Sequence, residues 1–148
     1  LFARNILDEK NGPPPEVNLF NEKNNGETLL KLIEIDLIKS AHDVSLGGII
    51  TAISKMCIKG NKGIKLKKPK NLISDVEYLF AEDQGRYLIE ITKKDHKTVT
   101  DLLNKNAVHF DELGVIIEDQ MHINDKTIVT VDELKTSSTS WLKKYMDK

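Results

Sequence analysis

Cysteine is nearly absent. Cys57 is the only one in 148 residues, so the chain cannot close an internal disulfide and lacks the paired thiols of a zinc module. Nor is one sign of charge in excess: 22 lysines and arginines stand against 23 aspartates and glutamates, a formal net charge of -1. That balance removes the general electrostatic attraction of a nucleic-acid binder. No apolar run approaches the roughly 20 residues that span a bilayer, and the apolar start is too short for a signal peptide. Repeats and low-complexity blocks are missing too. His42, His96, His109 and His122 show no helical metal-ligand spacing, and neither a His-Glu-x-x-His nor a phosphate-loop pattern occurs. The expectation is a soluble, cytoplasmic protein with no nucleic-acid or membrane partner and no metal site of its own.

What is present is an ordinary globular composition, 39% hydrophobic and 30% charged. A chain of this length buries roughly two-thirds of the surface it exposes when unfolded, which suffices for a core without staples. Leu1-Phe2-Ala3-Arg4 lacks an initiator methionine and begins inside an apolar-periodic segment, so a piece of a longer polypeptide is expected. Residues 1–26 carry linker signs: Gly12, then Pro13-Pro14-Pro15, six asparagines and Gly26. Residues 27–148 are expected to form a single domain. Its first helix begins at Glu27, with Leu29, Leu32, Ile33 and Leu37 as the apolar stripe. Ser40 to Val44 reads as extended, and Ser45 as the N-cap of a helix that carries Ile49, Ala52, Ile53 and Met56 on one face and stops near Gly60. Cys57 falls on the apolar side of that helix, as a buried structural thiol. Lys65, Lys67, Lys68 and Lys70 surround Pro69 without an aromatic residue, the pattern of a solvated loop.

Asp75 to Phe80 predicts a helical turn, and Tyr87 to Ile91 a strand with Tyr87, Ile89 and Ile91 on one side. Another helix starts near Asp95, marked by Val99, Leu102 and Leu103. Val115–Ile117, Met121–Ile123 and Thr127–Val131 read as an antiparallel meander with a tight turn at Asn124-Asp125. A closing helix follows, with Leu134, Leu142 and Tyr145 as contacts and Trp141 as a core anchor. The Thr136 to Ser140 run has poor helix propensity and threatens to split it. The class predicted is α+β, with helices packed on a mixed, largely antiparallel sheet.

Two segments have chemical content. In Ala41-His42-Asp43-Val44-Ser45-Leu46-Gly47-Gly48 a strand enters a helix through small residues, and the free N–H groups of Gly47 and Gly48 could hold an anion such as phosphate. Asp43 could ligate Mg²⁺ or accept a hydrogen bond, and Ser45 and Asp43 could equally be cap and turn residues. In Phe80-Ala81-Glu82-Asp83-Gln84-Gly85-Arg86-Tyr87, Glu82, Asp83, Gln84 and Arg86 could read a polar ligand, since the guanidinium forks onto oxyanions and the amide both donates and accepts. An ion-paired, well-capped turn would collect the same residues.

These segments resemble a known family. His42-Asp43-Val44-Ser45-x-Gly47-Gly48 and Leu79-Phe80-x-Glu82-Asp83-Gln84-Gly85-Arg86-Tyr87 are similar to motifs in the last domain of phosphoribosylformylglycinamidine synthase. Gly12-x-Pro14-Pro15-x-Val17-x-Leu19 resembles its leading linker, Glu22-Lys23-x-Asn25-Gly26 its first helix start, and Trp141-Leu142-x-x-Tyr145-Met146 its carboxyl end. The turn and the tryptophan-containing end separate this family from selenophosphate synthetases and thiamine-phosphate kinases, which share the domain type.

The resemblance implies a part of a ligase that uses ATP and Mg²⁺ to activate formylglycinamide ribonucleotide for attack by glutamine-derived ammonia. It implies an upstream ATP-binding-type domain, a glutaminase subunit and a small accessory subunit as partners. By the family's layout the catalytic residues lie upstream, so this segment has none, needs no cofactor of its own and is inactive alone. Asp43, Ser45, Gly47, Gly48, Glu82, Asp83, Gln84 and Arg86 would then form a degenerate, auxiliary substrate- or nucleotide-binding site in a mainly structural domain. The alternative is a non-catalytic module that still binds a nucleotide or phosphate. Leu46 stands where the family usually has aspartate, and a leucine cannot ligate Mg²⁺. A chain ending soon after Met146 is expected of the short form of the enzyme.

Overall fold

The structure, a computed structural model, describes residues 1–9, 12–67, 74–124 and 126–147. In chain order these form α1 (Phe2–Ile6), α2 (Leu19–Glu34), β1 (Ser40–Asp43), α3 (Gly48–Gly60), β2 (Gly63–Leu66), α4 (Asp75–Phe80), β3 (Tyr87–Glu90), α5 (His96–Lys105), β4 (Gly114–Ile117), β5 (Gln120–Ile123), β6 (Lys126–Thr130) and α6 (Val131–Met146). The fold is α+β and contains a mixed sheet, as the sequence pattern predicts. The chain divides into two compact units, residues 1–52 with 76–111 and residues 53–75 with 112–148. Lys68, Pro69 and Lys70 of the basic run lie outside the described residues, as does Asp125 of the expected tight turn.

In the first unit, β1 and β3 pair antiparallel, from Ser40 opposite Glu90 to Asp43 opposite Tyr87. The stripe of α2 meets that of α5: Leu32, Ile38, Val99 and Leu103 are buried together, with Leu29, Ile89, Ile91 and Phe110 packed around them. Leu88 is the buried residue of β3 and Tyr87 is exposed, so the strand's predicted face is reversed at its start while Ile89 and Ile91 do reach the core. Helix α2 begins at Leu19, eight residues before the expected Glu27, and the boundary placed at residue 26 falls inside it. Asn18 caps it, its side chain accepting from the Asn21 N–H at 3.0 Å. The asparagines that argue against a helix act through their side chains instead. Asn24 donates to the Asn106 carbonyl at 2.7 Å and Asn25 to the Gly85 carbonyl at 3.0 Å. Tertiary bonds thus outweigh a weak local preference.

In the second unit the sheet order is β4-β2-β5-β6. β2 pairs antiparallel with β4 and parallel with β5, and β5 pairs antiparallel with β6 through a bulge at Met121 and His122. The expected meander is therefore wrong in one step: β4 and β5 are consecutive but do not pair, because β2 lies between them. A partner some 50 residues or more earlier in the chain leaves no trace in local spacing. Leu66, Met121 and Val131 are almost fully enclosed, and Ile53 and Cys57 are buried. Burial pushes the Cys57 thiol above its ordinary range.

Helix α6 is unbroken. A capping box starts it, with the Thr130 side chain accepting from the Glu133 N–H and the Glu133 carboxylate accepting from the Thr130 N–H at 2.7 Å. Thr139 returns its hydroxyl to the Lys135 carbonyl at 2.9 Å, which disposes of one polar group in the poor segment. Trp141 is not a core anchor: it is 67% exposed. No helix among the described residues is long and apolar enough to cross a membrane.

Leu32 is 1% exposed at the centre of the first unit's core. Leu32→Ala is expected to lower stability by about 2–5 kcal/mol in urea unfolding; a loss under about 1 kcal/mol would contradict this packing.

Candidate functional site

The β1–β3 pairing decides which motifs meet. It sets Asp43 opposite Tyr87, and the ladder runs one bond further, the Val44 N–H donating to the Arg86 carbonyl at 2.8 Å. Both motifs therefore leave the paired strands at the same end. The first then turns at Ser45–Gly48, where the Gly48 N–H donates to the Ser45 carbonyl at 3.0 Å. The helix starts at Gly48 rather than being capped at Ser45.

Only glycine suits this turn. Gly47 and Gly48 have φ of 83° and 69°, the left-handed region that costs other residues strain. A Cβ on Gly48 would also lie 2.6 Å from the Leu79 carbonyl oxygen and 2.7 Å from Phe80 backbone atoms, at the end of α4. A side chain on Gly47 would collide with Thr51, whose hydroxyl donates back to the Gly47 carbonyl at 3.0 Å.

The two motifs touch through Glu82. Its Oε1 accepts the Gly47 N–H at 2.7 Å, so the first free donor before α3 is taken by the chain's own carboxylate. The negative charge also lies where the helix dipole favours it. The Gly47 bond holds the Glu82 carboxyl below the usual carboxylate range, and burial opposes this.

The rest of the second motif is a folded turn. The Arg86 guanidinium donates to the Asp83 carboxylate at 3.0 Å and the Ala81 carbonyl at 3.4 Å, and Asn25 holds the Gly85 carbonyl. Gln84 is exposed. Asp43 and Ser45 also face solvent, with His42 Nδ1 3.3 Å from the Asp43 carboxylate. Of the eight candidate residues, the structure joins Glu82 to Gly47, Gly48 to the Ser45 carbonyl and Asp83 to Arg86, and leaves Asp43 and Gln84 outside those contacts.

The sequence reading missed Asn25, Thr51 and Tyr78. Thr51 had a signal, since a threonine four residues after a helix-start glycine commonly bonds back to its carbonyl. Asn25 had none, because its partner is 60 residues away. The Tyr78 hydroxyl is enclosed without a hydrogen-bond partner among the described residues, and burial and the nearby Asp111 carboxylate raise its pKa while Arg86 opposes them. In the second unit a cleft of about 420 Å³, lined by Asn61, Lys62, Glu118, Asp119, Thr130, Val131 and Asp132, shares no residue with either motif.

At this turn the described side chains form no convergent ligand set for Mg²⁺. The Gly47 and Gly48 donors are engaged, Leu46 offers no ligand, and no group of three or more metal-ligating side chains exists among the described residues.

The fold and these motifs define a class: residues 1–125 match the family of the AIR synthase related protein, C-terminal domain, and the chain belongs to it. Within that class it is similar over almost its whole length to phosphoribosylformylglycinamidine synthase subunit PurL, the resemblance its motifs carry. It is 67% identical over 147 residues to PurL of Pelagibacter ubique and 37% identical over 146 residues to PurL of Bartonella bacilliformis, in each case 99% of this chain. It spans about a fifth of the length of these relatives, 20% of each. Among solved structures, Thermotoga maritima PurL complexed with FGAR has the same fold over 90% of this chain and 24% of its own, with TM-score 0.73 at 23% identity.

Two results are expected here. Gly48→Ala should destabilise the first unit, seen as a lower thermal midpoint, and a wild-type midpoint would contradict the close approach. Glu82, with a lowered folded pKa, contributes stability that is full above its unfolded value of about 4.3 and is lost as pH falls through the folded value. The Gly47 amide shift should therefore titrate with a midpoint below about 4.3; one at or above it would contradict the bond.

Proposed function

We propose that this chain is the C-terminal, mainly structural domain of an ATP-dependent carbon–nitrogen ligase of purine biosynthesis. The whole enzyme would join glutamine-derived ammonia to formylglycinamide ribonucleotide and release the formylglycinamidine ribonucleotide. The 67% identity to a PurL subunit supports the enzyme assignment. The observation that carries the structural role is the 2.7 Å bond from the Gly47 N–H to Glu82. The turn that the sequence suggests as a phosphate cradle already holds an internal anion, and the bond ties two motifs 35 residues apart.

Phosphoryl transfer needs cationic groups converging on the reacting phosphate. The only guanidinium in these two motifs, Arg86, is turned onto Asp83 and Ala81 within its own turn. ATP, Mg²⁺ and the ribonucleotide would therefore be held by other parts of the enzyme, upstream of this domain. Solved Thermotoga maritima PurL complexes with ATP, ADP and AMPPCP support nucleotide use by the whole subunit, and a PurLQS structure supports further subunits as partners. The setting would be cytoplasmic.

Mixed with ATP, Mg²⁺, ammonia and formylglycinamide ribonucleotide, the 148-residue chain should make no amidine product, and ADP should leave the Gly47 and Gly48 amide resonances unmoved. Turnover by the chain alone would refute the structural role. Saturable ADP shifts centred on those glycines would instead favour a retained nucleotide site.

A further inference from the structure

The last helix carries a surface that the domain itself does not use. At about 100° per residue, Val131, Leu134, Trp141, Leu142, Tyr145 and Met146 share one face of α6. Val131 is 2% exposed and Leu134 half-buried, so the stripe starts inside the second unit. Its last two turns stand open, with Trp141, Leu142, Tyr145 and Met146 at 67%, 57%, 65% and 72% exposure. Trp141 and Tyr145 stack with centroids 5.6 Å apart, a pre-ordered aromatic pair. Lys143 and Lys144 border the stripe on its two sides. Contiguous exposed apolar surface rimmed by charge marks an interaction site, and tryptophan and tyrosine are the residues that anchor such sites.

The comparisons bear on what covers it. The shared family domain matches only residues 1–125, before α6 begins, whereas PurL chains match 147 of the 148 residues, α6 included. The helix thus lies beyond the stretch matched by the family model but within the stretch matched by PurL chains, which are about five times this length. We infer that the Trp141–Met146 face docks in cis onto another region of a PurL-length polypeptide, an apolar seat edged by carboxylates that meet Lys143 and Lys144. This rests on the functional reading above.

The test grafts this chain onto Pelagibacter ubique PurL in place of the matching stretch and introduces the photoreactive substitution Trp141→benzoylphenylalanine. Isotopically mixed copies distinguish cross-links within one polypeptide from those between polypeptides. Cross-links within one polypeptide, to residues outside the graft, are expected. Cross-links only to a second copy, only to another subunit of the synthase, or none at all would overturn the inference. As a second measure, Trp141→Asp with Tyr145→Asp should lower the thermal midpoint of the graft and leave that of the 148-residue chain unchanged; an equal effect on both, or none on either, counts against docking. An active graft with no cross-link within the polypeptide sinks the docking alone. A graft that folds but makes no amidine, beside active native PurL, sinks the functional reading.

Discussion

One hydrogen bond organises the candidate site: the Gly47 N–H to the Glu82 carboxylate. It depends on two glycines that take a left-handed path and let the end of α4 approach α3 to within contact of bare backbone. It also depends on the β1–β3 pairing, which brings both motifs to one end of a two-stranded ladder. A helix N-terminus offers unsatisfied donors and a favourable potential for negative charge, and a ligand or a side chain can meet that demand. Here a side chain meets it. The same motif that would read as a phosphate cradle becomes a joint that fixes the Glu82 turn.

The neighbouring contacts serve the same end. Asn25 reaches from α2 to the Gly85 carbonyl, and Thr51 closes the first turn of α3 onto Gly47. Phe2 stacks on Phe80 with ring centroids 4.3 Å apart, just before the turn begins. Arg86 neutralises Asp83 inside the turn. Glu82, Asp83, Arg86 and the Gly47 N–H are thereby given partners within the protein.

Much of this was legible in the sequence, and the failures share a cause. The Ser40 and Tyr87 strands, the α3 face and the start of α5 follow from local periodicity, and the structure keeps them; of the predicted α2 stripe Leu29, Leu32 and Leu37 reach the core, whereas Ile33 is exposed. The start of α2 was not legible, because Asn24 and Asn25 oppose a helix locally and are recruited by partners more than 50 residues away. The insertion of β2 between β4 and β5 was hidden for the same reason: pairing order is a long-range property. Trp141 misled in the opposite way. A large aromatic residue on an amphipathic stripe reads as core, and nothing local shows that the stripe runs on past the surface that buries Val131. At the site, both motifs could be found by composition, but that the Glu82 carboxylate reaches the Gly47 N–H required the fold.

The central claim is that Glu82 closes the start of α3. Titrating inorganic phosphate into wild type and Glu82→Ala, with amide spectra as the readout, tests it most directly. The account predicts silence at Gly47 and Gly48 in the wild type and a response at those two amides once the carboxylate is gone. A saturable wild-type response as strong as the variant's would contradict it.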